Sequence, residues 1–142
     1  MYDKTISVED RLEIQELYAR YCHFADQCDG ENWANCFTKD GFFAPSLGPG
    51  SGKDYRGHAE LAGFITAPER TPLENRHWNG ALTLEREGDF VRAECYAYLL
   101  LVVNVESPKI LGSVVYRDLL AREDGAWKFK ERRPTKDDAP RA

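Results

Sequence analysis

Residues 110–133, ILGSVVYRDLLAREDGAWKFKERR, decide the fold. Two mainly apolar runs, Ile110 to Ala121 and Trp127 to Arg133, flank Glu123-Asp124-Gly125, and the Asp-Gly pair supplies the positive φ that a tight reversal needs. The spacing predicts an antiparallel hairpin. Working backwards, Asn75 to Arg86 and Phe90 to Val105 have the same character and are separated by Glu87-Gly88-Asp89. Ser107-Pro108 interrupts the chain before Ile110. The second half is therefore read as four long strands in an antiparallel meander.

The first half carries helical patterning. Ile14, Leu17, Tyr18, Tyr21, Ala25 and Cys28 recur at helical spacing between about Val8 and Cys28, with Ser7 as N-cap and Gly30 as terminator. A second, short helix is expected over Glu31 to Phe37, with Trp33, Cys36 and Phe37 inward. Lys39-Asp40-Gly41 reads as a turn and Phe42-Phe43-Ala44 as a short strand. Pro45 to Lys53 and Ala67 to Leu73 read as loops around a third helix, His58 to Thr66. Three helices ahead of a long meander define an α+β order, with the helices on one face of the sheet. Strands of this length must curve, and a curved sheet closed by helices encloses a pocket. The 142 residues read as one domain, its core over about 7–133, with residues 134–142 expected to form a flexible tail.

Charge and motifs narrow the chemistry. A net charge of −5 without a basic stripe disfavours nucleic acid, because Lys128 to Arg133 is short and reads as a solvated strand end. No long apolar run suggests a membrane span, and Met1 to Ile6 has no basic start followed by an apolar stretch, so a cytoplasmic address is expected. Cys22, Cys28, Cys36 and Cys95 contain no CxxC pair and read as reduced packing residues. There is no GxSxG, P-loop, Rossmann or HExxH pattern and no cluster of two His with a carboxylate, so neither a metal nor a cofactor is expected.

Five pieces of sequence, in order, carry a family likeness: Ile14-x-x-Leu17-x-x-x-Tyr21-x-x-x-x-Asp26, Phe37-x-x-Asp40-Gly41-x-Phe43, Arg76-His77-x-Asn79, Gly88-Asp89-x-Val91-x-Ala93, and Tyr116-x-Asp118-x-Leu120-x-Arg122-x-Asp124-Gly125-x-Trp127-Lys128-Phe129. Together they resemble the SnoaL-like branch of the NTF2-like superfamily, over roughly residues 7–133. The likeness is greatest to the group holding scytalone dehydratase, the hexachlorocyclohexane dehydrochlorinase and the bile-acid 7α-dehydratase. It implies an NTF2-like cone, open at one end, with three helices packed on a strongly curved, mainly antiparallel sheet. It also implies an Asp–His dyad inside the cone, here Asp26 and His77, with Tyr21, Phe43, Asn79 and Arg132 around it.

The residues themselves leave several roles open. Asp26 lies on a flank of the first helix shared with Tyr18 and Cys22, close to a helix end where the macrodipole disfavours negative charge. It is either a boundary residue starting a turn or a pocket carboxylate. His77 and Asn79 share one strand face, opposite Arg76 and Trp78. A carboxylate on one ring nitrogen of His77 would fix the tautomer and leave the other nitrogen as a base. Arg132 has the parity of Lys128 and Lys130, which should face water. Only a β-bulge between Phe129 and Arg132 turns it inward; otherwise Arg133 has that parity. Tyr96, Tyr98, Leu100 and Val102 share one face, and Val114 and Tyr116 another, as core or as pocket wall. His23 is expected in solvent, and His58 is a candidate for the pocket mouth.

The function expected is a cofactor-free lyase of the scytalone-dehydratase type, removing water or another small leaving group from a hydroxylated aromatic or polyketide-like molecule. Asp26, His77, Tyr21 and Arg132 would act catalytically, and Tyr18, Phe43, Asn79, Tyr96 and Tyr116 would contact substrate. Isomerase or cyclase chemistry with the same dyad is the neighbouring reading. A non-catalytic ligand-binding or dioxygenase-β-like subunit is the rival. The resemblance also implies a homodimer or homotrimer.

Overall fold

The computed structural model describes residues 1–138. Its elements run α1 (Val8–Asp26), α2 (Gly30–Asn35), β1 (Phe37–Phe43), β2 (Tyr55–Arg56), α3 (His58–Ile65), β3 (Asn75–Glu87), β4 (Phe90–Leu101), β5 (Lys109–Glu123) and β6 (Ala126–Lys136). Ser7 caps α1 by accepting from the Asp10 amide, as its hydroxyl allows. The six strands form one sheet in the order β2-β1-β6-β5-β4-β3. Every neighbouring pair is antiparallel except β1–β6. The meander and the helices of the sequence reading form an α+β cone.

Bulges supply the curvature. Register shifts fall between Gly80 and Thr83 in β3, at Leu111 in β5 opposite Leu99 and Leu100, at Lys130 in β6 opposite Leu119 and Leu120, and between Phe37 and Phe42 in β1. Each extra residue bends its strand and adds twist. The concave face carries Val91, Ala93, Cys95 and Ala97 from β4 and Val114, Tyr116, Asp118 and Leu120 from β5, all buried. Small residues on β4 leave room for α1 and for the cavity. The centre of the core is an aromatic cluster in which Trp33 meets Tyr21, Phe37, Phe43 and Phe64 with ring centroids 5.0–5.7 Å apart.

Several boundaries differ from expectation. α1 ends at Asp26, and the left-handed residue that turns the chain is Cys28, with φ 54°. Gly30 instead opens α2, where a Cβ would meet Thr66 Cγ2 at 2.7 Å and the Ala62 carbonyl at 2.9 Å. It is a close-approach glycine between α2 and α3 rather than a terminator. Lys39-Asp40-Gly41 is not a hairpin turn but the irregular middle of β1. β4 stops at Leu101, short of Val105. β6 runs to Lys136, so residues 134–136 belong to the sheet, while 139–142 of the expected tail lie outside the described residues. Among the described residues, no helix is long and apolar enough to cross a membrane. The four cysteines are free, with Cys22, Cys36 and Cys95 buried.

Candidate active site

Asp26 is the last residue of α1 and His77 the third of β3. The Asp26 carbonyl accepts from the Leu73 amide at 2.7 Å, which ties the helix end to the chain entering β3. The side chains then meet. Asp26 Oδ1 accepts from the His77 backbone N–H at 3.0 Å and lies 2.6 Å from ring Nδ1. A carboxylate there requires the proton on Nδ1, leaving Nε2 with a lone pair in the neutral ring. The pair is not sealed: the His77 side chain is 22 % exposed and that of Asp26 12 %.

Both residues line a cavity with about 940 Å³ of empty space, counted out to its open mouth. Its floor and walls are aromatic, from Tyr21, Trp33, Phe43, Phe64 and Tyr116. Loop residues 45–49 and 69–71 close the rim. Burial pushes the Tyr21 and Tyr116 phenols above their ordinary range, so both remain protonated donors near neutral pH.

Arg132 does turn inward. Leu119 pairs with Glu131 but Leu120 with Phe129, so Lys130 is the extra residue and the bulge reverses the parity of everything after it. Arg132 is fully buried and Arg133 exposed. Yet Arg132 is not among the residues that line the cavity. Its guanidinium carbon lies 3.7 Å from the Tyr116 ring centroid and 4.1 Å from that of Tyr21, behind the two phenols. Its Nε sits 3.3 Å from Asp118 Oδ1, and Tyr18 donates its hydroxyl to Asp118 Oδ2. Asp118, not marked out as a site residue in the sequence, is thus the counterion. An inward-facing Asp between Tyr116 and Leu120 on a buried strand was the available signal, since such a charge demands a partner.

Tyr21, Phe43 and Tyr116 stand in the cavity wall, as expected. Tyr18 and Asn79 do not: Tyr18 faces Asp118, and Asn79 Nδ2 reaches the Tyr18 carbonyl at 3.3 Å and Cys22 Sγ at 2.9 Å. Tyr96 is a correction. It lies on the convex face of β4, 58 % exposed, because Cys95 and Ala97 hold the inward parity. Tyr98 shares that exposed face. His58 is not at the mouth either; its Nε2 lies 3.0 Å from the Phe37 carbonyl. His23 is exposed. Arg70, Ser46 and Asn75 line the cavity and were missed. The first two lie on loops and the third at a strand entry, where no periodicity points inward. Among the described residues no group of three or more His, Cys, Asp or Glu is placed to hold a metal ion.

This geometry, a helix-capped cone with a carboxylate–imidazole pair in its mouth, defines a class of small-molecule-binding α+β domain. Residues 7–133 match the family model of the SnoaL-like domain, and the chain belongs to that family. The chain is similar to Rv3472 of Mycobacterium tuberculosis, described as of unknown function (35 % identity, 91 % of this chain and 72 % of that one, TM-score 0.79). It is also similar to an NTF2-like protein with a cystatin-like fold from Novosphingobium aromaticivorans (26 %, 94 % and 85 %, TM-score 0.77). A Catenulispora acidiphila protein solved in complex with S-DNPA is 25 % identical (92 % and 96 %, TM-score 0.76). A search of curated proteins returns no match.

Proposed function

We propose that the protein is a cofactor-independent lyase of the scytalone-dehydratase type, acting on a hydroxylated, cyclic, polyketide-like compound. The observation that carries the reading is the bond from His77 Nδ1 to Asp26 Oδ1 in the mouth of an aromatic cavity. Asp26 holds the tautomer and stabilises the imidazolium; His77 Nε2 is the base. With a β-hydroxy ketone as substrate, Nε2 takes a proton from the carbon next to the carbonyl. The electron pair forms the C=C bond as the β C–O bond breaks, and the imidazolium returns its proton to the leaving hydroxide. One water is released and the neutral imidazole restored. Tyr21, in the wall and still protonated, would donate to the carbonyl oxygen as it gains negative charge. Arg132 stands behind the phenols and serves as a positioning residue. The aromatic wall favours a planar ring system.

The test uses 3-hydroxy-1-tetralone, which loses water to give 1-naphthol. Wild type should turn it over, and a folded His77→Ala should lose roughly 10²–10⁴-fold in kcat, with Asp26→Asn following it. Equal thermal stabilisation of wild type and His77→Ala by the probe, with product from neither, would leave a ligand-binding domain instead.

We also propose that the convex face of β3–β5 is covered by a second copy of the chain. Trp78, Tyr98 and Ser113 are cross-strand neighbours there, as are Gly80, Tyr96 and Val115. Trp78 is 67 % exposed and Ile110 63 %. A contiguous aromatic patch of this kind is uncommon on a monomer, and two-fold pairing is the commonest way identical chains cover such a face.

A further inference from the structure

The cavity holds a cation that the proposed elimination does not use. Arg70 follows α3 in the rim, and its guanidinium is fixed at two corners. Nε donates to the Phe64 carbonyl at 2.8 Å and Nη2 to the Pro49 carbonyl at 3.1 Å. The plane rests 4.1 Å from the Phe64 ring centroid. These contacts leave Nη1 without a partner, and no carboxylate lies within ion-pair distance of the group, among the described residues. Glu69 also lines the cavity but is exposed at the rim. Arg132, by contrast, has Asp118. Burial lowers the affinity of Arg70 for its proton, and the guanidinium is a charge held partly out of water.

Two more groups in the same wall lack partners. Ser46 Oγ and Asn75 Oδ1 are shielded from solvent, belong to cavity-lining residues, and make no hydrogen bond. A shielded oxygen left unbonded is costly, and a ligand that bonds it removes that cost. Tethering by two carbonyls also means that little side-chain freedom remains to be lost when an anion docks on Arg70.

We propose that the substrate of this site is an anion: a ring compound bearing a carboxylate that Arg70 grips, with a hydroxyl on the same molecule met by Asn75 or Ser46 once that side chain turns toward the cavity. The proposal rests on the reading of the cavity as the substrate site and extends it to the charge of the substrate. Arg70 acts in recognition, not in the proton transfer.

The experiment compares carboxylated 3-hydroxy-1-tetralones, with the acid at each ring position, against their methyl esters. Affinity is measured by calorimetry and turnover by naphthol formation, for wild type, Arg70→Gln and Arg70→Lys. A hydrogen-bonded charge pair in such a wall predicts that wild type binds at least one acid about ten- to a hundredfold more tightly than its ester. Arg70→Gln should close that gap by weakening the acid far more than the ester, and Arg70→Lys should keep part of it. No acid preference at any position, including no binding at all, overturns the proposal. So does an Arg70→Gln that weakens acid and ester alike, which marks Arg70 as a rim strut. Turnover without acid preference sinks the anion reading alone. An Arg70-dependent acid preference with no product from any compound sinks the elimination and leaves an anion-binding pocket.

Discussion

At the scale of single residues, the two acidic groups that matter live in opposite conditions. Asp26 is partly open and accepts two N–H groups from His77. Asp118 is sealed, and burial pushes its carboxyl up to about 6 despite Arg132 and the Tyr18 hydroxyl, which both favour ionisation. A folded-state value above the ordinary 3.8 means that the native state holds this proton more tightly than the unfolded chain. The stability it contributes is therefore fully present below about pH 4 and is lost as pH rises through about 6. Urea midpoints of wild type and Asp118→Asn at pH 4.5 and 7.5 check this: the stability of wild type relative to the variant should fall between the two. A rise would mean that Arg132 outweighs burial. In the sequence, Asp26 and His77 were legible as a pair only through the family pattern, because nothing local in either segment points to the other.

At the scale of elements, one inserted residue settles the fate of a buried charge. By strict alternation Arg132 belongs with Lys128 and Lys130 in water, yet the bulge at Lys130 turns it into the core. Deleting Lys130 removes the bulge and places Arg132 two positions after Phe129, so it stays inward opposite Asp118, whereas Arg132→Ala strands Asp118 without its cation. We expect a loss of about 3–5 kcal/mol in chemical denaturation, the usual cost of breaking a buried pair. Lys130→Ala keeps the bulge and removes a contact with Asp40 at 3.7 Å and a distant one with the Phe90 ring at 6.0 Å, so it should stay within about 0.5 kcal/mol of wild type. Equal losses from Arg132→Ala and Lys130→Ala would show that the buried pair is not what holds this part of the sheet. Bulges of this kind are set by pairing across strands, which is why the sequence offered two parities and could not choose.

For the whole molecule, the sheet has a covered face and a bare one. The helices pack on the concave side, while Trp78, Tyr96 and Tyr98 stand on the convex side. The assignment of Tyr96 to the pocket failed because both faces of β4 carry apolar side chains, and size suggested the wrong one. The inward positions take Ala93, Cys95 and Ala97, since the concave side of a tightly bent sheet has less room. If a second copy covers the convex face, analytical ultracentrifugation should show wild type as a dimer. Trp78→Lys with Tyr96→Lys should be a folded monomer with an unchanged circular dichroism spectrum. A wild type that is monomeric at micromolar concentration refutes the pairing.

The sequence by itself determined the order of elements, the α+β class, the strand turns and the family, because helical and strand periodicity and Asp-Gly or Gly-Asp reversals are local signals repeated along the chain. Tertiary structure alone decided which polar groups meet. The Asp26–His77 bond spans 51 positions and the Tyr18–Asp118 bond spans 100. Such contacts are fixed by the bend of the sheet and by where each bulge falls. The Arg70 fork was equally invisible, because it depends on two backbone carbonyls that loop geometry, not residue type, brings to it.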